Sequence, residues 1–179
     1  MKKIIRLTTS LTLISAVCAA ILATVNAVTA GRINTIKEKM KQNAARLVLP
    51  RSVRTVDALN EKVFAGKAAD GRVLAYAVIG ESPAGYGGPI ELMVGFTPDF
   101  QIVTYQKLKA SETPGLGTHL SSPSFMKQFK GLDARKDIKV TKDGGTVEAI
   151  TSATITSRAV CDAVNNAREK LQSHLAAAH

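Results

Sequence analysis

A long segment without charged residues near the start of the chain predicts a membrane-spanning helix. Residues 7–30 carry no charge, and a short basic tail, residues 1–6, precedes them. A helix of this length rises about 36 Å, more than the hydrocarbon core of a bilayer, which is ~30 Å thick. In residues 31–50 apolar positions recur at helical spacing up to Pro50, so we expect the helix to continue beyond the membrane as a stalk.

A cleaved signal peptide is the alternative interpretation of this segment. Its basic tail, its apolar middle and the small residues Val28 and Ala30 fit that pattern as well. The helical spacing of residues 31–50 follows with only Gly31 in between, which favours an uncleaved anchor. Basic residues flank the segment on both sides, so the charge pattern leaves its orientation open.

Beyond the stalk the apolar positions alternate, and the predicted fold class is α+β, an antiparallel sheet with packed helices. Residues 51–179 are expected to form this domain. Alternating segments joined by the turn residues Asp70-Gly71 and Pro98-Asp99 predict two β-hairpins. The predicted elements are strands at residues 63–67, 72–79, 90–96, 101–107 and 138–141, short helices at 53–59 and 123–129, and an amphipathic helix after Ser157.

Composition and charge narrow the function classes. The chain has 179 residues, of which 45% are hydrophobic and 21% charged, so one packed domain and an anchor fit its length. Part of the net charge of +10 lies just after the apolar segment, where it suits a membrane surface. Aromatic residues make up 4% and Trp is absent, which disfavours a nucleic-acid partner. The two cysteines, Cys18 and Cys161, are far apart, and we expect no metal site.

A glycine-rich loop is the first candidate for chemistry. It runs Glu112-Thr113-Pro114-Gly115-Leu116-Gly117. Its glycines would let the backbone approach a flat ligand closely, and a loop leucine can pack on a ring face. An ordinary surface turn is the alternative interpretation.

A run of hydroxyl residues before the last helix is the second candidate. The five hydroxyl residues, within seven positions, are Thr151, Ser152, Thr154, Thr156 and Ser157. A helix N-cap needs only one of them. The free N–H groups and the dipole of a helix N-terminus also attract phosphate. The pattern is therefore consistent with a plain cap or with a phosphate held at this end.

These segments together resemble a known family. Residues 148–154 resemble the flavinylation motif of FMN-binding domains, which is an acid, two residues, Ser or Thr, Gly, Ala and Thr. The loop at residues 112–117, the run Tyr86-Gly87-Gly88-Pro89-Ile90 and the single N-terminal apolar helix also match. In this order they resemble the G subunits of Rnf electron transport complexes, with the C subunits of sodium-pumping NADH:quinone oxidoreductases as a related family.

The resemblance implies a membrane-anchored flavoprotein subunit of an ion-translocating ferredoxin:NAD oxidoreductase that relays electrons through FMN. A flavin transferase would attach FMN through its phosphate to Thr154 as a phosphoester. Other redox and membrane subunits and membrane lipid would be its partners, and its domain would lie outside the cytoplasmic membrane. The cofactor-binding residues implied are Thr154, Thr151, Ser152, Ala153, Glu112, Thr113, Gly115, Leu116 and Gly117.

Two positions depart from the family motif. Ser152 stands where the family has Gly, and Glu148 stands where Asp is usual. Glu148 keeps the negative charge, whereas glycine at position 152 would serve backbone geometry or access by the transferase. Thr151 and Thr156 are the fallback hydroxyls. A stand-alone flavin carrier and a flavin-free assembly subunit are the alternative functions.

Overall fold

The computed structural model describes residues 2–110 and 120–177, which fall into two units, one up to Met40 and one from Lys41 onwards. Its helices and strands are α1 (Lys2–Val48), β1 (Thr55–Ala58), β2 (Val63–Lys67), β3 (Val73–Ser82), β4 (Ile90–Phe96), β5 (Ile102–Ala110), α2 (Pro123–Lys127), a 3-10 turn (Thr141–Asp143) and α3 (Thr154–Ala177).

The first unit is a helix suited to a bilayer. α1 contains an 18-residue stretch with a mean hydropathy of 2.2, and none of that stretch is buried. Its threonine hydroxyls donate to carbonyl oxygens one turn earlier, as from Thr8 to Ile4 at 2.9 Å and from Thr24 to Ala20 at 2.8 Å. These polar groups are satisfied within the helix, which lowers the cost of placing them in hydrocarbon. The helix continues without a break to Val48, as its sequence predicts.

The second unit is built on a five-stranded antiparallel sheet in the order β1-β2-β3-β4-β5. Each strand pairs with the next one along the chain, so the sheet is a meander. Both predicted hairpins are confirmed: Val63 faces Val78 across the first, and Val94 faces Tyr105 across the second. The α+β prediction, an antiparallel sheet with packed helices, is confirmed.

Side chains along each strand point alternately to the two faces of the sheet, and each face has its own hydrophobic core. In β4, Leu92 and Val94 belong to the core shared with α3, whereas Met93 belongs to the core shared with the last turns of α1. Glycines allow close approach on both faces. A Cβ at Gly80 would lie 1.9 Å from the carbonyl oxygen of Ala163, and one at Gly95 would lie 2.2 Å from a carbonyl oxygen of α1. The helices therefore pack directly against the backbone of the sheet.

Two local predictions are wrong. Residues 53–59 were expected to form a helix, but they contain β1, whose Thr55 faces Lys67 of β2. Pairing with a neighbouring strand outweighs the weak helical preference of so short a segment. Residues 138–141 were expected to form a strand, but only Val140 pairs, in an isolated bridge with Val147, before the 3-10 turn begins.

Candidate functional site

The predicted hydroxyl run lies at the first turn of α3. Thr154 is the first residue of this helix, and its side chain is half-buried. Thr151 and Ser152 are exposed in the turn that precedes it, where the N–H of Ala153 donates to the carbonyl oxygen of Ile150 at 2.9 Å. The chain thus presents three hydroxyls at a helix N-terminus, where the first N–H groups have no partner within the helix.

Ser152 has a left-handed backbone. Its φ angle is 63°, a region that glycine favours. Glycine, which the family motif has at this position, would adopt this backbone without strain. Serine adopts it here, with its side chain exposed and without a hydrogen bond to the described residues.

The fallback hydroxyl Thr156 is in a different situation. It is buried, with 2% of its surface exposed. A phosphate or a modifying enzyme could reach it only if the helix separated from the core. Burial therefore leaves Thr151, Ser152 and Thr154 as the hydroxyls that a phosphate could meet.

The Ser157 side chain holds the turn at residues 150–153 against the start of α3. Its buried hydroxyl accepts a hydrogen bond from the N–H of Ile150 at 2.9 Å and donates one to the carbonyl oxygen of Ala153, also at 2.9 Å. Because both partners are backbone groups on either side of residues 151–152, this one hydroxyl holds the shape of the turn. Ser157 supports the site without lining it.

Gln128 holds the approach to the turn. Its Oε1 accepts from the N–H of Glu148 at 2.7 Å, and its Nε2 donates to the carbonyl oxygen of Glu148 at 3.3 Å. This two-point contact fixes the backbone at Glu148 and leaves the exposed carboxylate free to face solvent or ligand. Gln128 lies 20 residues away in the sequence, so the motif itself gives no sign of it.

The charge nearest to Thr154 is positive. Lys142 Nζ lies 3.5 Å from Thr154 Oγ1. Arg158, one turn into α3, is held by Asp143 through two hydrogen bonds of 2.7 Å. That ion pair keeps the pKa of Asp143 below its ordinary value. Because Asp143 neutralises Arg158, Lys142 is the cation that faces the Thr154 hydroxyl.

Two grooves meet at residues 148–151. The first, of about 400 Å³, is lined by Lys142, Ser152 and Thr154, among others. The second, of about 540 Å³, extends towards Ser122 and Phe125. Each volume lies in the range of small-molecule sites. We call them the phosphate groove and the ring groove.

The predicted loop residues Glu112, Thr113, Gly115, Leu116 and Gly117 lie outside the described residues. The described chain resumes at Leu120, which is buried, and the buried Tyr105 donates to its carbonyl oxygen at 2.5 Å. Burial raises the pKa of Tyr105, so its hydroxyl stays protonated and remains a donor. The segment that follows, including Ser122, forms one wall of the ring groove.

Residues 2–110 and 120–177 contain no group of three or more His, Cys, Asp or Glu side chains that could hold a metal ion. The side chains that the site brings together are instead hydroxyls, one lysine, an exposed glutamate and partly apolar groove walls. This set fits an organic phosphate with a flat ring better than it fits a metal.

Comparisons of this chain with known proteins agree on one family. Residues 85–169 match the FMN-binding domain family. The chain is 33% identical to the G subunit of the ion-translocating oxidoreductase complex of Methanosarcina acetivorans, over 93% of each chain. It is also 33% identical to the G subunit of the Na(+)-translocating ferredoxin:NAD(+) oxidoreductase complex of Acetobacterium woodii, over 92% of this chain and 89% of that protein.

A solved structure shares the fold. The crystal structure of Shewanella oneidensis NqrC is similar to this chain with a TM-score of 0.50 and 22% identity, over 70% of this chain and 66% of that one. The hydroxyl run, the ring groove and the phosphate groove all lie in or beside residues 85–169, the part that matches the FMN-binding domain. With similarity to these relatives over nearly its whole length, this chain belongs to the family of G subunits of ion-translocating oxidoreductase complexes.

Proposed function

We propose that this chain is the FMN-carrying subunit of an ion-translocating ferredoxin:NAD+ oxidoreductase complex, where it relays electrons between other subunits. The names of its relatives support membership of such a complex, and the match to the FMN-binding domain family supports FMN as the cofactor. The observation that carries the proposal is the half-buried hydroxyl of Thr154 at the start of α3, beside two grooves. Bound flavin supplies one- and two-electron chemistry, and the protein supplies position and charge.

The cofactor is proposed to be covalent, through a phosphoester between Thr154 Oγ1 and the phosphate of FMN. Of the accessible hydroxyls, Thr154 is the one on the helix itself, in the first turn, whose N–H groups have no partner within the helix. Thr151 and Ser152 belong to the preceding turn, and Thr156 is buried. Thr154 is thus both accessible and located at the positive end of the helix dipole, which attracts a phosphate.

Lys142 and the N-terminus of α3 are proposed to stabilise the phosphate charge. A phosphodiester keeps one negative charge on its non-bridging oxygens. Lys142 Nζ lies 3.5 Å from Thr154 Oγ1, the oxygen that would be bonded to the phosphorus. Cations and helix N-terminal amides both favour an anion at such a position. Ser157 and Gln128 keep the local backbone fixed, so the phosphate would meet a preformed site.

The isoalloxazine ring is proposed to lie in the ring groove. This groove contains apolar surface from Phe125 and Ile150 and hydroxyls from Ser122 and Ser124. The loop residues Glu112, Thr113, Gly115, Leu116 and Gly117 precede its wall in the sequence and are proposed to complete it. Thr151, Ser152 and Ala153 would stay next to the phosphate.

The chain is proposed to be a single-pass protein of the cytoplasmic membrane. Residues 1–6 would form a tail, 7–30 the span in contact with lipid, 31–50 a stalk and 51–179 the FMN-binding domain. α1 contains a stretch apolar enough to cross a bilayer, and the relatives of this chain are subunits of ion-translocating complexes. We propose that the domain lies on the extracytoplasmic side, where a flavin transferase modifies it.

The test of attachment uses full-length chain co-expressed with its flavin transferase. Thr154→Ala should abolish flavin fluorescence in a denaturing gel, because the phosphoester would have no oxygen to form on. Ser173→Ala is the matched control: it removes an exposed hydroxyl further along the same helix, outside both grooves, and should leave the fluorescence unchanged. Undiminished fluorescence of Thr154→Ala would place the tether on another residue, and intact mass of a tryptic peptide would identify it.

The same preparation separates the alternative functions. Ser152 in place of glycine is the observation that favours a flavin-free assembly subunit, and a wild-type chain without fluorescence beside an active transferase would support that function. A fluorescent chain that co-purifies with no other subunit would instead be a stand-alone carrier. Fluorescence together with co-purification of redox and membrane subunits is the result expected for the proposed function.

A further inference from the structure

A basic groove lies where α1 ends and the sheet begins, and it shares no lining residue with the two grooves of the proposed flavin site. Its volume is about 420 Å³. Three exposed arginines line it, and its apolar walls come from partly or fully buried side chains. We call it the arginine groove; its arginines are Arg46, Arg51 and Arg54, and its apolar walls are formed mainly by Leu49, Val53 and Val56.

The arginines of this groove differ from the others in the same unit. Arg72, Arg135, Arg158 and Arg168 each pair with an aspartate at 2.7–3.0 Å. None of the three groove arginines forms an ion pair with a carboxylate of residues 2–110 or 120–177. The acid nearest in sequence, Asp57, is bound to Lys67 at 2.8 Å. The groove therefore presents three positive charges that no carboxylate of residues 2–110 or 120–177 neutralises.

The apolar part of the groove is also incomplete. Val53 and Val56 pack against the core formed with α1, but each remains partly exposed. Leu47, at the rim, is 68% exposed. Val56 lies on β1, an edge strand of the sheet, so no further strand covers this side among the described residues. The apolar pocket is therefore surrounded by arginines that have no carboxylate partner in the described part of the chain. Such a surface is complementary to a segment that carries both apolar and acidic side chains.

We propose that the arginine groove docks an acidic segment of another subunit of the complex, with an apolar side chain in the pocket and carboxylates against Arg46, Arg51 and Arg54. Because such a partner exists only if the chain assembles as proposed above, this inference rests on that proposed function. A lipid headgroup fits less well. A headgroup would engage the arginines but leave the apolar pocket formed by Leu49, Val53 and Val56 unfilled.

The test places a photoreactive benzophenone amino acid at Leu47 in the full-length chain, co-expressed with all subunits of the complex. After irradiation of the purified complex, mass spectrometry identifies the linked peptide. The charge-reversal variant is R46E/R51E/R54E. Its matched control is R72E/K130E/K136E, which makes the same change in net charge at exposed positions outside the groove. Flavin fluorescence and shielding of the buried Cys161 report that each variant is folded.

We expect one linked segment, rich in Asp or Glu, in another subunit. Its yield should fall about tenfold or more in R46E/R51E/R54E and remain unchanged in the control, since reversed charges repel the acidic segment. Lysines in place of those acids should restore the yield with the reversed groove. The milder variant R51E should give an intermediate loss if the triple variant is unfolded.

A linked lipid, a second copy of this chain, a segment without acids, or no adduct in an intact fluorescent complex would each overturn the docking proposal while leaving the proposed function in place. Failure of the wild-type chain to co-purify with any subunit would instead reject membership of the complex, and with it this inference.

Discussion

Replacing Ser152 by glycine should stabilise the protein, although it removes a side chain. The φ angle of Ser152 is 63°. A left-handed backbone costs an L-residue about 1–2 kcal/mol, because its Cβ crowds the following carbonyl oxygen. Glycine avoids that cost but has more freedom in the unfolded chain, which offsets roughly 0.5–1 kcal/mol. The Ser152 hydroxyl is exposed and forms no hydrogen bond with the described residues, so little else is lost.

The net effect is a gain of roughly 0.5–1 kcal/mol in the free energy of unfolding. For a chain of this size it corresponds to a rise in Tm of about 1–4 °C. The assay is thermal unfolding of the full-length protein in detergent, followed with a thiol-reactive dye in a Cys18→Ser background. Cys161 is 2% exposed, so the dye reacts when the domain unfolds.

Two controls isolate the backbone contribution. Ser152→Ala keeps the Cβ and should bring no gain. Gly144→Ser introduces a Cβ at φ 80° with nothing within 4 Å, so it should lose a similar free energy for the same conformational reason. If Gly144→Ser lowers Tm but Ser152→Gly fails to raise it, the conformational explanation at Ser152 is refuted. The family preference for glycine would then concern access by the transferase.

Three further predictions test the packing and charges of the domain. Glu81 binds Lys62 at 2.6 Å and Lys170 at 3.0 Å, and both contacts lower its pKa from 4.5, so Glu81→Gln should cost about 0.5 kcal/mol in urea unfolding at pH 7. The difference in free energy of unfolding between the wild-type protein and Glu81→Gln should be complete above pH 4.5. It should disappear as the pH falls through the lower folded-state pKa of Glu81, and a difference that persists at pH 2 would contradict this prediction. Burial raises the pKa of Cys161 to about 12, so iodoacetamide at pH 8 should label it in urea but not in the native protein, and rapid native labelling would show that the core opens. Gly80→Ala should lower the free energy of unfolding by about 3 kcal/mol, because the new Cβ would lie 1.9 Å from a carbonyl oxygen of α3, whereas Gly31→Ala, with no atom within 4 Å, should have little effect on domain Tm.

The elements that could be predicted from the sequence are those with local causes. Asp70-Gly71 and Pro98-Asp99 specify turns by their own backbone preferences, so the hairpins on either side are correctly placed. β1 has no such signal. Its four residues, Thr55–Ala58, are mostly exposed, and its pairing with β2 decides its conformation.

The residues of the candidate site also fall into those that the sequence predicts and those that it does not. The hydroxyls of residues 151–154 and the start of α3 follow from a continuous motif and a helical pattern. Lys142 and Gln128 lie 12 and 20 residues from the groups that they contact, and nothing in their surroundings marks them. Only the packing of the 3-10 turn and of the end of α2 against this segment brings them to the site, so tertiary structure is needed to find them.

The exposure of the groove residues gives a physical reason for the proposed covalent tether. Thr151, Ser152 and Glu148, which line the grooves, are exposed, so a ligand there would keep much of its surface in water. Small-molecule sites that rely on non-covalent binding usually bury about 70–90% of the ligand. A phosphoester at Thr154 would instead fix occupancy through a high effective concentration, independent of buried area. The flavin could then stay accessible along one edge, as electron transfer between subunits requires, without being lost to solvent.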